Sequence, residues 1–530
     1  MKKYILISFI ITLFYACNDD ILDITSQTEL TTDLFMSTEQ DLYFATNALY
    51  SSSSFSNLYL ENITDNCTNN HTWDPPYNIA IGSATPYNQY VFGFWDNNYR
   101  YIQSANRIIE GAAKAQDIDE AKRLQYIGEA KFFRALMFEQ LVGLFGDVPF
   151  TTSSLSPEEA LEVTRTDKSE IRAYLANDLT EIADDLPLVA EQWGRVTKGA
   201  ALALKSRIML YDGKWAEAAA TAKEVMDLGV YSLHSSYEEL FQYEGEQSSE
   251  IILSRQYADL TGHRHQMTIE IGSSVAYDGW ANWLPTKDLI DDYECIDGLT
   301  IDSSPLYDEK HPWDNRDPRL HHTIVYPGRE YLDGYWTSIP GFDFGEAKVY
   351  EDMGDKGLSW NIPKSGYMFW KYVQPQDVYT DNEWEGHIDL ILIRYAEVLL
   401  NYAEAKLEAG DIDQSVYDAI NEIRQRPSVN MPIITSGKNQ SELREIIRRE
   451  RRVELVFEGL RLFDIRRWRI AEDVMNRTPY GSPEANPATM DPITYKTGWQ
   501  VNVFDPARDY LWPIPQTEID KIGLKQNPNW

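Results

Sequence analysis

Cysteine is scarce in this chain. Only three occur among 530 residues, Cys17, Cys67 and Cys295, and none belongs to a CxxC pair. This scarcity excludes a disulfide framework and a cysteine-based zinc site. A single disulfide between Cys67 and Cys295 stays open, although we favour buried or free thiols.

Positive charge is also in short supply. Lysine and arginine number 48 against 83 aspartates and glutamates, which gives a formal net charge of −35. Nucleic acid and anionic lipid surfaces would repel such a chain, so we expect neither as a partner. Neutral ligands such as sugars remain compatible with this charge.

Long hydrophobic runs are missing after the N-terminus, so no membrane-spanning helix is expected. Residues 1–16, MKKYILISFIITLFYA, join a basic start to an apolar run, as secretory signal peptides do. Ala16 precedes Cys17, the arrangement of a bacterial lipoprotein signal. We predict a signal peptide at 1–16, lipidation of Cys17 and a lipidated linker at 17–37. An ordinary cleaved signal with a chance cysteine is the alternative.

Common catalytic signatures are absent too. The chain has no GxSxG, HExxH, P-loop or GxGxxG motif. His263 and His265 have a spacing seen in metal sites, but a polar loop is the simpler interpretation. We therefore expect no metal and no cofactor. A glycosidase carboxylate pair stays open, because only geometry identifies such a pair among so many acids.

The most distinctive stretch runs from 444 to 470, REIIRRERRVELVFEGLRLFDIRRWRI. It holds nine arginines, no lysine and five acids, and its apolar residues recur at helical spacing. Guanidinium groups offer a planar fork of donors to carboxylates and carbonyls, which lysine does not. Gly459 predicts a kink in this helix or a close approach of another backbone.

Three interpretations of the arginine-rich stretch compete. Nucleic-acid binding is disfavoured because acids alternate with the arginines. A catalytic cluster would use the carboxylates of Glu450, Glu454 and Glu458. We favour an internal ion-pair hub, with local pairs one helical turn apart. Those local pairs are Glu445–Arg449 and Arg451–Glu454.

An internal repeat indicates the architecture. AALALKSRIMLYDGKWAEAAATAKEVMDLG, from Ala200, aligns with EVLLNYAEAKLEAGDIDQSVYDAINEIRQR, from Glu397, and Gly213 matches Gly410. Two helices joined at a short glycine turn are typical of tetratricopeptide units, which must stack to bury their apolar faces. The sequence therefore predicts a mainly α fold with a tetratricopeptide-like scaffold of helical pairs.

Residues 230–388 change character between the two repeat units. Helical periodicity weakens, and Gly, Pro, Asp, Trp and Tyr become dense. We predict a loop-rich, Trp-rich insert of short strands here. Residues 38–530 then form a single domain, with the scaffold at about 38–229 and 389–470, the ligand subdomain at about 230–388 and a C-terminal segment at 471–530.

Several motifs resemble one family. RRERRVELVFEGLRLFDIRRW closely resembles the signature of the SusD/RagB family, surface lipoproteins that bind glycans for uptake in Bacteroidetes-type bacteria. GEAKFFRALMFEQLVGLFGDVPF from Gly128, NRDPRL from Asn315 and YLWPIPQTEIDKIGLKQNPNW from Tyr510 resemble family elements in the expected order. The resemblance implies a ligand site on the loop side, a SusC-like TonB-dependent transporter as partner, and lipid anchoring on the outer face of the outer membrane.

Sugar recognition needs flat aromatic platforms beside polar groups that take up hydroxyls. We predict Trp73, Trp280, Trp313 and Trp336 as platforms, with Asp65 and Asn66 as hydroxyl partners. For Trp280 and Trp313, a structural role is weighed equally with a role in ligand contact. Trp360 is expected to pack.

The leading hypothesis is a non-catalytic glycan-binding lipoprotein that captures oligosaccharide or polysaccharide for the transporter. A RagB-like relative that binds peptides or another nutrient is the first alternative. A glycoside hydrolase is less favoured. A tetratricopeptide scaffold without ligand comes last, because it leaves the aromatic insert unexplained.

Overall fold

The computed structural model describes residues 36, 38–52, 58–116, 118–260, 262–341, 344–353, 360–378, 385–485 and 492–530. The signal peptide predicted at 1–16, Cys17 and nearly all of the linker predicted at 17–37 lie outside these residues. Within the described ranges, no helix is long and apolar enough to cross a membrane.

Helices dominate the described chain. In chain order they are α1 (Glu39–Tyr50), α2 (Tyr77–Ala80), α3 (Gln89–Lys114), α4 (Glu120–Phe145), α5 (Lys168–Ala183), α6 (Lys198–Tyr211), α7 (Trp215–Asp227), α8 (Met267–Ile271), α9 (Ser274–Tyr277), α10 (Lys287–Asp292), α11 (Pro318–Thr323), α12 (Pro375–Val378), α13 (Tyr395–Glu408), α14 (Gln414–Arg424), α15 (Gln440–Glu454), α16 (Arg461–Arg467), α17 (Ala471–Met475) and α18 (Gln516–Ile522). Short 3₁₀ turns lie at Leu58–Ile63, Glu159–Leu161, Glu239–Phe241 and Tyr243–Gly245.

The strands are short. They are β1 (Cys67–Asn69), β2 (Val148–Pro149), β3 (Arg165–Thr166), β4 (Ile251–Arg255), β5 (Trp283–Pro285), β6 (Ile324–Val325), β7 (Glu330–Tyr331), β8 (Gly334–Thr337), β9 (Val349–Glu351), β10 (Met368–Phe369), β11 (Leu390–Arg394), β12 (Pro483–Ala485) and β13 (Pro492–Tyr495). They form antiparallel pairs, and one three-stranded sheet in which β7 is antiparallel and β9 parallel to β8.

The predicted scaffold of helical pairs is confirmed. α3 packs on α4, α5 on α6, α6 on α7, and α13 on α14, while α13 also packs on α7 and so joins the two repeat units. Gly213 and Gly410 both have positive φ, +73° and +76°, at the turns that connect the paired helices. That backbone conformation strains any residue with a Cβ, which explains why glycine matches glycine in the repeat.

The antiparallel pair β4–β11 brings an early segment of the loop-rich region beside the chain that leaves this region. Its own apolar core is aromatic and includes Trp283 and Trp336, both without exposed surface. Phe457 from the arginine-rich stretch enters this core and stacks on Phe369, with ring centroids 4.2 Å apart. The arginine-rich stretch therefore contacts the aromatic core directly.

The stretch 444–470 forms two helices instead of the single kinked helix predicted. α15 ends at Glu454 and α16 begins at Arg461. Between them Phe457 and Gly459 have φ values of +60° and +76°, which no α-helix contains. This interruption of the helix directs the Phe457 side chain into the aromatic core. The contact with that core takes the place of a continuous helix.

The ion-pair hub is confirmed, and Glu454 is its centre. Its carboxylate accepts hydrogen bonds at 2.8 Å each from Arg319, Arg394 and Arg426, and all four side chains are buried. Burial acts to raise the pKa of Glu454, but the three guanidiniums outweigh it and hold the pKa well below the usual range. One carboxylate thus links the insert, β11 and the segment after α14.

The predicted local pairs were wrong. Arg451 donates to Asp464 at 2.7 Å rather than to Glu454, and Arg449 reaches Glu294 at 3.4 Å rather than Glu445. A guanidinium buried at low dielectric forms several strong hydrogen bonds with carboxylates from distant segments. A local ion pair on a helix surface stabilises the helix by only about 0.2–0.5 kcal/mol.

Candidate functional site

An open groove lies between the loop that carries Trp73 and the N-terminus of α3. Its volume is about 380 Å³, within the usual range for small-ligand sites. Its lining residues are Trp73, Pro75, Asn78, Ser83, Ala84, Thr85, Tyr87, Asn88 and Gln89. We call it the Trp73–Tyr87 groove. It combines two aromatic rings with amide and hydroxyl side chains.

The two aromatic rings of the groove are open to solvent. Trp73 is 70% exposed and Tyr87 is 72% exposed. Large aromatic side chains normally bury most of their surface, and rings left open beside polar groups are available for a ligand. The groove therefore offers two flat apolar surfaces.

Trp73 is held by its neighbour His71. The two rings stack with centroids 4.4 Å apart and 9° between their planes. Burial lowers the pKa of His71, Lys364 acts in the same direction, and a hydrogen bond with the backbone of Trp280 acts in the opposite one. An imidazole with a lowered pKa is neutral at pH 7, so an uncharged ring supports Trp73 from behind.

The wall of the groove follows from the capping of α3. The Asn88 side chain accepts hydrogen bonds from the N–H groups of Tyr90 at 3.0 Å and Val91 at 3.1 Å, and so fixes the start of the helix. Its amide also donates to Pro75 O at 3.4 Å. Asn88 therefore connects the loop after Trp73 to α3. Tyr87, the residue before this cap, lies outside the helix.

Asp65 and Asn66 have structural roles, which corrects their predicted placement at a ligand. Arg461 donates to both oxygens of Asp65, at 2.9 and 2.8 Å. Asn66 accepts from Arg452 at 2.7 Å and donates to Glu61 at 2.7 Å. Both side chains are buried, and neither lines the groove. They anchor the loop that leads to Trp73.

Trp313 and Trp336 are likewise buried, and the reason is packing. Trp336 has no exposed surface, and its indole N–H donates to Asp352 at 3.1 Å. Trp313 is 6% exposed and stacks on Tyr326, with ring centroids 5.0 Å apart. A ring enclosed in this way offers no face to a sugar, so neither acts as a platform in this structure.

Trp280 lies close to the groove without lining it. Pairing of β1 with β5 brings the segment around Trp280 beside the Trp73 loop, with Asn69 opposite Trp283. Trp280 is half-buried, and its backbone hydrogen-bonds with His71. The structure therefore brings the segments of Trp73 and Trp280 together.

Sequence reasoning did not select Tyr87 or Trp360. Trp360, expected to pack, is 57% exposed. Its loop is tied to the Trp73 loop, because Asn70 donates to Ile362 O at 2.9 Å. For Tyr87 a signal existed: it follows Pro86 and directly precedes the helix cap at Asn88, a position that faces outward from a helix end.

Two carboxyl groups, one of them on the residue after Trp73, share one amide donor. Asp74 and Glu270 both accept hydrogen bonds from the Asn282 amide, at 3.3 and 3.0 Å. Burial raises the pKa of Asp74 to about 6 and also raises that of Glu270. Neither forms an ion pair within the described part of the chain. This pair gives the surroundings of Trp73 a negative character.

The catalytic-carboxylate interpretation of the arginine-rich stretch was wrong. Glu450, Glu454 and Glu458 are each committed to buried arginine or lysine partners. The three carboxylates are almost completely buried and their oxygens bind guanidinium or ammonium groups, so a substrate has no access to them. These three residues stabilise the fold.

No metal site emerges in the part of the chain that the structure describes, where no three His, Cys, Asp or Glu side chains form a cluster. Both ring nitrogens of His265 are used, by Ile388 O at 2.8 Å and by the Met267 N–H at 3.1 Å. Cys67 and Cys295 are free and buried, as favoured from the sequence.

Two family models match the chain. The model described as "SusD family" matches residues 249–530. The one described as "Starch-binding associating with outer membrane" matches residues 20–210. Together they cover most of the scaffold and of the insert, and they leave residues 211–248 outside.

Individual proteins agree with these models. A SusD-like protein of Formosa agariphila, P2, is 27% identical over the full length of both chains. The crystal structure of a SusD-like carbohydrate-binding protein from Bacteroides fragilis superposes with a TM-score of 0.83 at 29% identity, over 92% of this chain and 99% of that one. A laminarin-binding SusD-like protein shares the fold, with a TM-score of 0.71 at 21% identity, over 93% of this chain and 100% of that one.

Proposed function

Because this chain belongs to the SusD family, we propose that it is a non-catalytic glycan-binding lipoprotein on the outer face of the outer membrane. It captures oligosaccharide or polysaccharide and delivers it to a SusC-like TonB-dependent transporter. The Trp73–Tyr87 groove is the proposed capture site. Trp73 keeps the platform role expected from the sequence, and Tyr87 joins it.

One observation carries the proposal: two aromatic rings remain about 70% exposed at a groove where five of the seven other described lining residues have amide or hydroxyl side chains. Sugar rings present apolar C–H faces that stack on indole or phenol rings. Asn78 and Gln89 supply both donors and acceptors, and Ser83 and Thr85 supply hydroxyls. This mixture matches a ligand that is apolar on its faces and rich in hydroxyls at its edges.

The scaffold and the N-terminus account for the rest of the proposal. Stacked helical pairs present extended surfaces suited to a protein partner, which supports contact between the scaffold and the transporter. The lipoprotein-like start of the chain and the family description "associating with outer membrane" support a lipid anchor at Cys17.

Affinity electrophoresis tests glycan capture. The protein lacking residues 1–17 is run through gels cast with plant, yeast and host polysaccharides, laminarin among them. Trp73→Ala and Tyr87→Ala should each weaken binding about tenfold, since loss of one ring face removes on the order of 1.5 kcal/mol. Trp193→Ala removes an exposed ring outside the groove and serves as the control.

The outcomes separate the possibilities. Retardation that Trp73→Ala abolishes and Trp193→Ala retains supports the groove. Retardation unaffected by Trp73→Ala would move the site elsewhere, first toward Trp280 and Trp360. A protein retarded by no polysaccharide would end the glycan proposal and favour a peptide ligand.

Cys17→Ala tests the anchor. The full chain should partition with outer membranes and incorporate labelled palmitate, and the variant should lose both properties while keeping glycan retardation. Membrane association that persists without label would contradict lipidation.

The hydrolase alternative has one observation in its favour, the Asp74–Glu270 carboxyl pair. Neither residue lines the groove, which is why we prefer binding without catalysis. Release of reducing ends by the parent that Asp74→Asn eliminates would reverse that preference.

A further inference from the structure

The side chains that line the Trp73–Tyr87 groove carry no formal charge. Among the residues that the structure describes, the lining consists of aromatic, amide, hydroxyl and small apolar side chains and includes no lysine, arginine, histidine, aspartate or glutamate. Sites that recognise carboxylate, sulfate or phosphate groups normally use arginine forks or lysine point charges. This groove lacks both.

Two described cations, Lys364 and Arg508, donate hydrogen bonds to loops around the groove without lining it. Lys364 donates to Asn70 O at 2.5 Å, and burial lowers its pKa. Arg508 lies behind Gly82, donates to its carbonyl at 2.9 Å and pairs with Asp509 at 2.6 Å. His71 is buried against Trp73 with a lowered pKa, so it adds no charge at pH 7. Arg508 is neutralised by Asp509, whereas Lys364 is bound to an uncharged carbonyl and keeps its charge outside the lining of the groove.

Two carboxyl groups near Trp73 add negative charge. Asp74 follows Trp73 directly and shares the Asn282 amide with Glu270, and neither carboxyl has a cationic partner in the described ranges. The chain as a whole carries a formal charge of −35. An anionic ligand would lose hydration on entering the groove without gaining a counter-charge from its lining, and the Asp74 carboxyl next to Trp73 in the chain would repel it.

The helix terminus at the groove does not change this balance. Helix N-termini attract anions through free N–H groups. At α3, however, the Asn88 side chain already accepts from the N–H groups of Tyr90 and Val91. The cap therefore satisfies two of the donors that an anion would use.

We infer that the Trp73–Tyr87 groove selects uncharged glycans and rejects glycans whose sugars carry carboxylate or sulfate groups. The inference rests on the proposed function and specifies the ligand class of the same site. Recognition depends on ring stacking and on hydrogen bonds between neutral groups. Binding is accordingly insensitive to ionic strength, because no ion pair is formed or broken.

Matched polysaccharide pairs test the inference. Each neutral glycan that retards the protein is compared with its carboxymethylated or sulfated derivative, so that the backbone is constant and only the charge differs. We expect the derivative to bind at least about tenfold more weakly. Retardation by the neutral glycan should stay constant between about 50 and about 500 mM NaCl. Alginate, polygalacturonate and heparin should not retard the protein.

A charge-gain variant makes the test specific to the groove. Gln89, the first residue of α3, lines the groove and is exposed, and Gln414, the first residue of α14, is also exposed but lies outside it. Gln89→Lys should gain several-fold affinity for the derivative, and that gain should disappear at high salt. Gln414→Lys should show no gain. An equal gain in both variants would overturn the inference, because overall charge would then be responsible.

Other results also decide the matter. An anionic glycan that binds the parent, weakens with salt and is lost in Trp73→Ala overturns the inference but leaves glycan capture in place. Retardation by no glycan of either kind removes the inference together with the proposed function.

Discussion

The indole of Trp73 lies flat against the imidazole of His71, so a ligand can reach the indole from one face only. His71 is itself buried and bound to the backbone of Trp280. The exposed ring is therefore fixed in position before any ligand arrives. Such preorganisation lowers the ordering cost of binding.

His71→Ala should weaken glycan binding about two- to tenfold, because a stacked aromatic pair contributes about 0.5–1.5 kcal/mol and the freed indole must be ordered on binding. Titration calorimetry with the glycan identified on gels measures the change. His263→Ala, an exposed histidine of a polar loop, is the matched control. Unchanged affinity in His71→Ala would mean that Trp73 needs no support.

Asp74→Asn should stabilise the protein at alkaline pH. Burial raises the folded-state pKa of Asp74 to about 6, whereas the unfolded value is about 3.9. The folded state thus binds this proton more tightly, and the associated stability is lost as pH rises through 6. Since Asp74 is partly solvated, we expect a gain of only about 1–2 kcal/mol at pH 8, which vanishes near pH 4.

Urea denaturation across pH 4–8 measures this difference for Asp74→Asn. Asp473→Asn removes the same charge from an exposed position of α17 and should leave the parent's pH profile unchanged. A pH-independent gain in Asp74→Asn would show that the effect is not due to the proton.

Glu454→Gln should destabilise the protein by about 3–5 kcal/mol, because three buried guanidiniums would lose the carboxylate that neutralises them. Urea denaturation at pH 7 measures the loss. Glu445→Gln, on the exposed side of α15, should change stability by less than about 0.5 kcal/mol. Equal effects in the two variants would contradict the hub.

Gly410→Ala should cost about 1 kcal/mol, because φ is +76° at this turn and a Cβ strains that conformation even though the space around it is open. Gly93→Ala is the matched control, for which we expect a change in stability of the opposite sign. Gly93 lies inside α3, and a Cβ there meets nothing within 4 Å, so alanine should stabilise by about 0.5–1 kcal/mol. Thermal unfolding of both variants checks the signs, and a loss in Gly93→Ala would contradict this account.

The sequence predicted well those features that depend on neighbouring residues. Helical periodicity and the glycines at 213 and 410 identified the paired helices, because a helix and its turn are encoded within about thirty residues. The density of arginine with interleaved acids predicted a buried hub, since guanidiniums and carboxylates in such numbers must neutralise one another. Cysteine spacing likewise favoured free thiols.

Long-range packing determined the features that the sequence did not predict. Asp65 pairs with Arg461 across 396 positions, and no local pattern distinguishes this structural carboxylate from one that binds a sugar. Trp73 and Trp336 have similar local contexts, yet one is exposed and the other has no exposed surface. The sequence by itself determined the helical pairs, which are encoded locally, and the existence of a hub, which follows from composition, whereas the partners within the hub came from distant segments. Only the tertiary structure decided which aromatic rings face solvent, because burial depends on every element that packs around a side chain.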